Sequence, residues 1–135
     1  MAVPDGEDKE ALAVLERLAA AIARADVPSV LAEFWDSEQV VMLGSEKGEE
    51  AYGTRQLEEL WTGVLSRGQA YRWLWREPAV VVRESLAWIA SDAVVRVTGG
   101  SGEREVQYRA TLVLIREQER WVIAQYHGSE PAAAW

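Results

Sequence analysis

Between residues 7 and 25, Leu12, Leu15, Leu18, Ala19 and Ile22 recur at helical spacing, the stripe of an amphipathic helix. Asp5 and Asp8 stand at its start, where acidic side chains cap free N–H groups or complement the helix dipole. Asp26-Val27-Pro28 stops this helix and opens a shorter one, proline being tolerated in a first turn. Val30, Leu31, Phe34 and Trp35 form the buried side of that second helix. Residues 39–43 read as a short strand, and the polar tip from Gly44 to Gly48 returns the chain through residues 50–53 as a hairpin. Thr54 caps a third helix, with Leu57, Leu60, Trp61, Val64 and Leu65 on one face and Gly68 at its end.

Beyond Gly68 the period changes from helical to two. Tyr71, Trp73 and Trp75 alternate with Arg72, Leu74 and Arg76. Pro78 predicts a bulge or an edge in this strand, which Val80 to Arg83 continues until Glu84-Ser85 turns it. Leu86 to Thr98 form the next strand, with a second bulge expected at Ser91-Asp92. Gly99 to Gly102 make a hairpin turn, and Arg104–Arg116 and Arg120–Ser129 are the last two strands. The order is helix, helix, small hairpin, helix and long meander. It predicts an α+β fold in which a curved antiparallel sheet wraps around helices, the economical way to bury every apolar stripe.

Composition narrows the function classes. A length of 135 residues predicts one domain spanning 1–135. The net charge of −8 repels phosphate backbones and anionic bilayers alike, so neither nucleic-acid nor membrane partners are expected. The absence of cysteine excludes disulfides, thiolate metal sites and cysteine nucleophiles. No signal-peptide pattern or membrane-length apolar run occurs, so a cytoplasmic location is the default. No glycine-rich phosphate loop precedes a helix and no serine–histidine–carboxylate spacing is present; no cofactor is expected. A metal site would need three carboxylates to converge with the single histidine, and none is expected.

Three segments carry a family resemblance: Ala25-Asp26 before the second helix, Tyr52-Gly53-Thr54-Arg55 opening the third, and the ending from Arg120 to Pro131 with its Trp121-x-Ile123 and His127-x-Ser129 positions. Together with the order of elements, they resemble the nuclear transport factor 2-like superfamily and its SnoaL-like branch most closely, over about residues 8–131. The resemblance implies a cone-shaped fold with a pocket between the concave sheet face and the helices, and usually a dimer. Superfamily members include isomerases, dehydratases, cyclases, epoxide hydrolases and non-catalytic association domains. Where the ketosteroid isomerase branch places its tyrosine, base and acid, this chain has Leu18, Met42 and Leu112, so that mechanism is not expected. Where the association domain of calcium/calmodulin-dependent kinase II places arginines, it has Ala90, Leu112 and Gly128.

By resemblance the inward-facing set is Met42, Trp61, Tyr71, Trp73, Trp75, Tyr108, Leu112 and Tyr126, with Glu46 at the rim. A cone lined this way is either plugged by its aromatic rings or shaped for a flat apolar ligand, and the two readings remain open. Under the first it is a non-catalytic dimerisation module. Under the second it is a small-molecule-binding protein, with isomerase, cyclase or dehydratase activity among the options. Trp61 and Trp88 also fit plain core positions. His127 shares a strand face with Trp121, Ile123, Gln125 and Ser129, away from the pocket, and is expected to do no chemistry. The cluster Glu46, Glu49 and Glu50 reads as a solvated loop tip. Arg109, Thr111, Val113, Trp121, Ile123 and Gln125 place apolar and polar groups on the convex side of two adjacent strands, and a homodimer through that face is expected.

Overall fold

The computed structural model describes residues 6–133, so the expected cap at Asp5 lies outside the described residues. Helix α1 (Gly6–Ala23) buries Ala11, Val14, Leu15, Leu18, Ala21 and Ile22. It ends at Ala25, whose φ of 54° lets the Asp26 N–H reach the Ala21 carbonyl at 3.1 Å. Asp26 then caps α2 (Val27–Leu31): its carboxylate accepts the Ser29 N–H at 3.2 Å and the Ser29 hydroxyl at 2.6 Å. Those bonds hold the Asp26 carboxyl below the usual range, with Arg24 adding to the effect. The second helix is shorter than the sequence pattern predicts. Phe34 and Trp35 lie beyond it, extended beside Ile123, with Trp35 N–H donating to the Ile123 carbonyl at 2.8 Å.

Strands β1 (Val41–Leu43) and β2 (Glu50–Tyr52) form the small hairpin. Helix α3 (Thr54–Leu65) follows, with Gly53 rather than Thr54 at its N-cap. Thr54 is already helical, and its hydroxyl is tied to the backbone of Ser37 on both sides, which pins the helix start to the loop before β1. The meander is β3 (Ala70–Arg83), β4 (Leu86–Gly99), β5 (Gly102–Glu117) and β6 (Arg120–Ser129). All six strands join one sheet in the order β2-β1-β6-β5-β4-β3. It is mixed rather than wholly antiparallel, because β1 runs parallel to β6. No described helix is long and apolar enough to cross a membrane.

Two irregularities bend the sheet. The first is where Pro78 predicts it: Glu77 and Pro78 oppose the single residue Ser91, and Glu77 takes a φ of 47°. The Ser91 hydroxyl lies 2.8 Å from the Asp92 carbonyl and 3.3 Å from the freed Arg76 carbonyl, and the bulge expected at Ser91-Asp92 is absent from β4, which pairs with β5 in unbroken register. The second bulge is at Ala124, between the pairs Val113 with Gln125 and Leu114 with Ile123. It reverses the face parity of β6. Trp121 and Ile123 are therefore buried on the core side, while Gln125 and His127 remain exposed on the outer face.

Beneath the sheet, Glu33 is 5% exposed and takes hydrogen bonds from Arg17 and Arg120, each at 3.0 Å, tying α1 and β6 to the turn after α2. The two guanidinium groups supply the partners that a carboxylate needs when it is taken out of water. Trp88 is not a core residue: it is 47% exposed on the outer face, where Leu86 and Tyr52 are also exposed.

Candidate functional site in the cone

The inner face of the sheet and α3 enclose a cavity of about 90 Å³. Its walls include Met42, Trp61, Tyr71, Trp73, Tyr108 and Tyr126, six of the eight residues expected there. Trp75 and Leu112 are not among them. Trp75 turns toward α1 and donates its indole N–H to the Leu15 carbonyl at 3.1 Å, and Leu112 is sealed in the core at 1% exposure. The mouth is polar, formed by Ser45, Glu46, Glu49, Arg67, Gln69, Arg104 and Glu130.

Pairing register explains how the aromatic groups meet. Tyr126 lies opposite Leu112 and Gly128 opposite Ala110, so Tyr108 stands one residue pair further along the same face. Its phenol leans back across Gly128 to reach Tyr126, and the two hydroxyls share a hydrogen bond of 2.7 Å. Gly128 makes this possible, since a Cβ there would collide with the Tyr108 hydroxyl. Trp73 meets the Tyr108 ring edge-on at 5.4 Å and tilts against Tyr71 at 6.3 Å. The Tyr71 hydroxyl is committed to Gln69 at 3.0 Å.

Electrostatics fix the protonation of the pair. Burial pushes the Tyr108 hydroxyl up to about 12 despite its bond to Tyr126, and the charges of Glu49 and Glu130 add to the rise. Burial also raises Tyr126 well above the ordinary tyrosine value, reinforced by Tyr108 and Glu49. Both remain hydroxyls at any physiological pH, available to donate.

Glu49 is the residue that the sequence reading passed over. It sits at the cavity mouth rather than on a solvated tip, with its side chain 17% exposed. Gly44 makes the room: a Cβ on Gly44 would strike the Glu49 carboxylate, and the Gly44 N–H pairs with the Glu49 carbonyl at 2.6 Å. The Glu49 carboxylate accepts the Glu46 N–H at 3.0 Å and faces Arg67 at 3.7 Å. Burial nonetheless raises its pKa above the ordinary carboxylate value, with the charges of Glu46 and Glu130 acting in the same direction. Glu46, the expected rim residue, does line the mouth and pairs with Arg67 at 3.3 Å. A glycine directly across a hairpin from a glutamate was the available signal for Glu49.

His127 lies on the opposite side of the sheet, exposed and in register with Thr111. Among the described residues no group of three or more histidine, cysteine, aspartate or glutamate side chains is arranged to hold a metal ion.

A family model for the SnoaL-like domain matches residues 11–133. The chain belongs to the SnoaL-like domain family. Comparison with curated proteins returns no match. Among solved structures, this SnoaL-like domain is similar to a candidate dehydratase of the NTF2-like family from Streptomyces avermitilis (TM-score 0.88, 14% identity, 96% of this chain and 100% of that one). It is also similar to a candidate calcium/calmodulin-dependent protein kinase II association domain from Xanthomonas campestris (0.85, 23% identity, 99% and 95%). A ketosteroid isomerase-like protein from Erwinia carotovora atroseptica superimposes with a TM-score of 0.78 at 21% identity, covering 96% and 100%. At these identities the likeness establishes the NTF2-like fold.

Proposed function

We propose that this SnoaL-like domain binds a small, uncharged, flat molecule in its cone, held by Met42, Trp61, Tyr71, Trp73, Tyr108 and Tyr126. The observation that carries the reading is the Tyr108–Tyr126 hydroxyl pair, 2.7 Å apart and buried against an unfilled cavity. A cavity of about 90 Å³ has room for roughly three waters. It therefore encloses one small ring or functional group, and the rest of a larger ligand lies in the polar mouth. Three carboxylates at that mouth, Glu46, Glu49 and Glu130, outnumber the two guanidinium groups of Arg67 and Arg104, a balance that works against anionic ligands. Two relatives of the same fold are named for dehydratase and ketosteroid isomerase-like proteins. Proton-transfer chemistry of that kind needs a group that ionises near its working pH, and Glu49 is the wall residue whose surroundings move it in that direction.

The test is tryptophan fluorescence during titration with phenol- and naphthol-sized neutral compounds, nucleotides and short carboxylic acids, in the native protein and in Trp73→Phe. Quenching by the neutral compounds, reduced in the variant, is expected. Quenching by the acids or nucleotides alone would defeat the proposal.

A second reading, assembly through the outer sheet face, is favoured by a row of side chains. Pairing places Val81, Trp88, Val113, Gln125, Val41 and Tyr52 side by side across the sheet. Trp88 and Tyr52 are 47% and 56% exposed there. A homodimer buries this row; Trp121 and Ile123, expected in the contact, are core residues instead and take no part.

A further inference from the structure

Outside the cone, a second hollow lies on the outer face of the sheet. Pairing runs Arg76, Asp92, Arg109 and Ser129 in one row across β3, β4, β5 and β6. The neighbouring row is Ala79, Ala90, Thr111 and His127, and the row after it carries Val81, Trp88 and Val113. Alanine at the β3 and β4 positions of the middle row keeps the floor low between taller side chains. A groove of about 510 Å³ opens there, a volume ordinary for a small-molecule site.

The polar groups of the groove are sorted by strand. On β5 and β6, Arg109 stands directly opposite Ser129, and Thr111 directly opposite His127. Side chains paired in this way start about 5 Å apart, so a guanidinium, an imidazole and two hydroxyls can meet at one ligand. The carboxylates Asp92 and Glu77 lie toward β3 and β4, with Arg76 beside them. Elsewhere Arg17, Arg96 and Arg116 each have a carboxylate partner. Among the described residues no hydrogen bond or ion pair holds the side chain of Arg109 or of His127, although Asp92 is in register with Arg109.

We infer that the β5–β6 side of this groove binds a small carboxylate, at a site independent of the cone. A carboxylate only accepts hydrogen bonds, and its two oxygens match the fork of a guanidinium. Arg109 takes that fork, while Thr111, Ser129 and His127 donate to the lone pairs that remain. Asp92 and Glu77 offset the charges of Arg76 and Arg109, and they repel each further negative charge on a ligand. The groove therefore favours a singly charged carboxylate over a doubly charged phosphate.

His127 is the one histidine in the chain, so its imidazole C–H protons give an NMR signal that reports from inside the groove without ambiguity. The full chain is titrated with sodium acetate or sodium phosphate, each balanced with sodium chloride to constant ionic strength at one pH. Acetate should shift the His127 signal saturably in the millimolar range, and phosphate should bind more weakly. Arg109→Gln should weaken acetate binding at least about tenfold. Arg72→Gln, which removes the same charge from an exposed position further along the outer face, should leave it unchanged. Both substitutions lie on the surface, and equal melting temperatures check that the fold is kept. A shift that does not saturate, or that survives in Arg109→Gln, would overturn the site. Equal losses in the two variants would overturn it as well, because net charge alone would then govern the response. Tighter binding of phosphate than of acetate would overturn the assignment to a carboxylate.

Discussion

At the residue scale, two glycines decide where the polar groups of the cone can go. Gly44 lets the Glu49 carboxylate fold inward, and Gly128 lets the Tyr108 hydroxyl cross to Tyr126. Glu49 then carries a measurable signature. Its pKa is raised in the folded protein because burial disfavours the charged form. Below about pH 4.5, the ordinary glutamate value, folded and unfolded chains are both protonated, and the residue leaves stability unaffected. As the pH rises above that value the unfolded chain ionises first, and the folded state loses stability relative to it. Glu49→Gln removes this penalty. The melting temperature of the variant relative to native should therefore be higher at pH 7.5 than at pH 4, as read by circular dichroism. A difference that does not change with pH would show that Glu49 is not desolvated as described. The charge density of the run Gly44-Ser45-Glu46-Lys47-Gly48-Glu49-Glu50 reads as solvated, and only Gly44 across the hairpin from Glu49 points the other way.

Elements were legible where periodicity has no rival. The stripes of α1 and α3 and the alternation in β3 sit where the pattern places them, because each apolar face has one surface to bury. The bulge at Pro78 was also legible, since proline cannot donate to a ladder. The bulge at Ala124 was not: alanine fits either side of a pleat, so nothing in Trp121-Val122-Ile123-Ala124-Gln125 marks the extra residue. That one insertion moved Trp121 and Ile123 from the expected outer face into the core. The position of Trp88 could have been read correctly, because Asp92 and Arg96 share its alternation while Ala87, Ile89, Ala93 and Val95 occupy the other side. Turn chemistry supplies a test at this scale. The β5–β6 hairpin turns at Gln118 and Glu119, with φ of 49° and 65°, a geometry that favours Asn-Gly. Replacing the pair with Asn-Gly should stabilise the protein by about 1 kcal/mol, a few degrees in melting temperature. An unchanged or lower melting temperature would argue against that turn.

For the whole molecule, the sheet separates the two proposed roles. Its inner face and α3 hold the cavity with its tyrosine pair, and its outer face carries the row from Val81 to Tyr52. The proposed assembly and the proposed ligand binding are therefore separable by substitution. Trp88→Lys places a charge in the middle of the outer row without touching the cone. Light scattering at micromolar concentration should give twice the 15.1 kDa chain mass for native protein and the single-chain mass for the variant. A native monomer would remove the dimer from the account.

The central claim is that the unfilled part of the cone is where the ligand sits, and filling it tests this most directly. Val106 lines the cavity from β5, and Val106→Phe adds a ring to the space with no polar group. Affinity for the best-binding neutral compound is then compared with that of native protein, alongside the melting temperature. The account predicts at least a tenfold loss of affinity with the melting temperature held or raised, since a void is replaced by packed ring. Undiminished binding in a folded Val106→Phe protein would contradict it, and would place the ligand somewhere other than the cone.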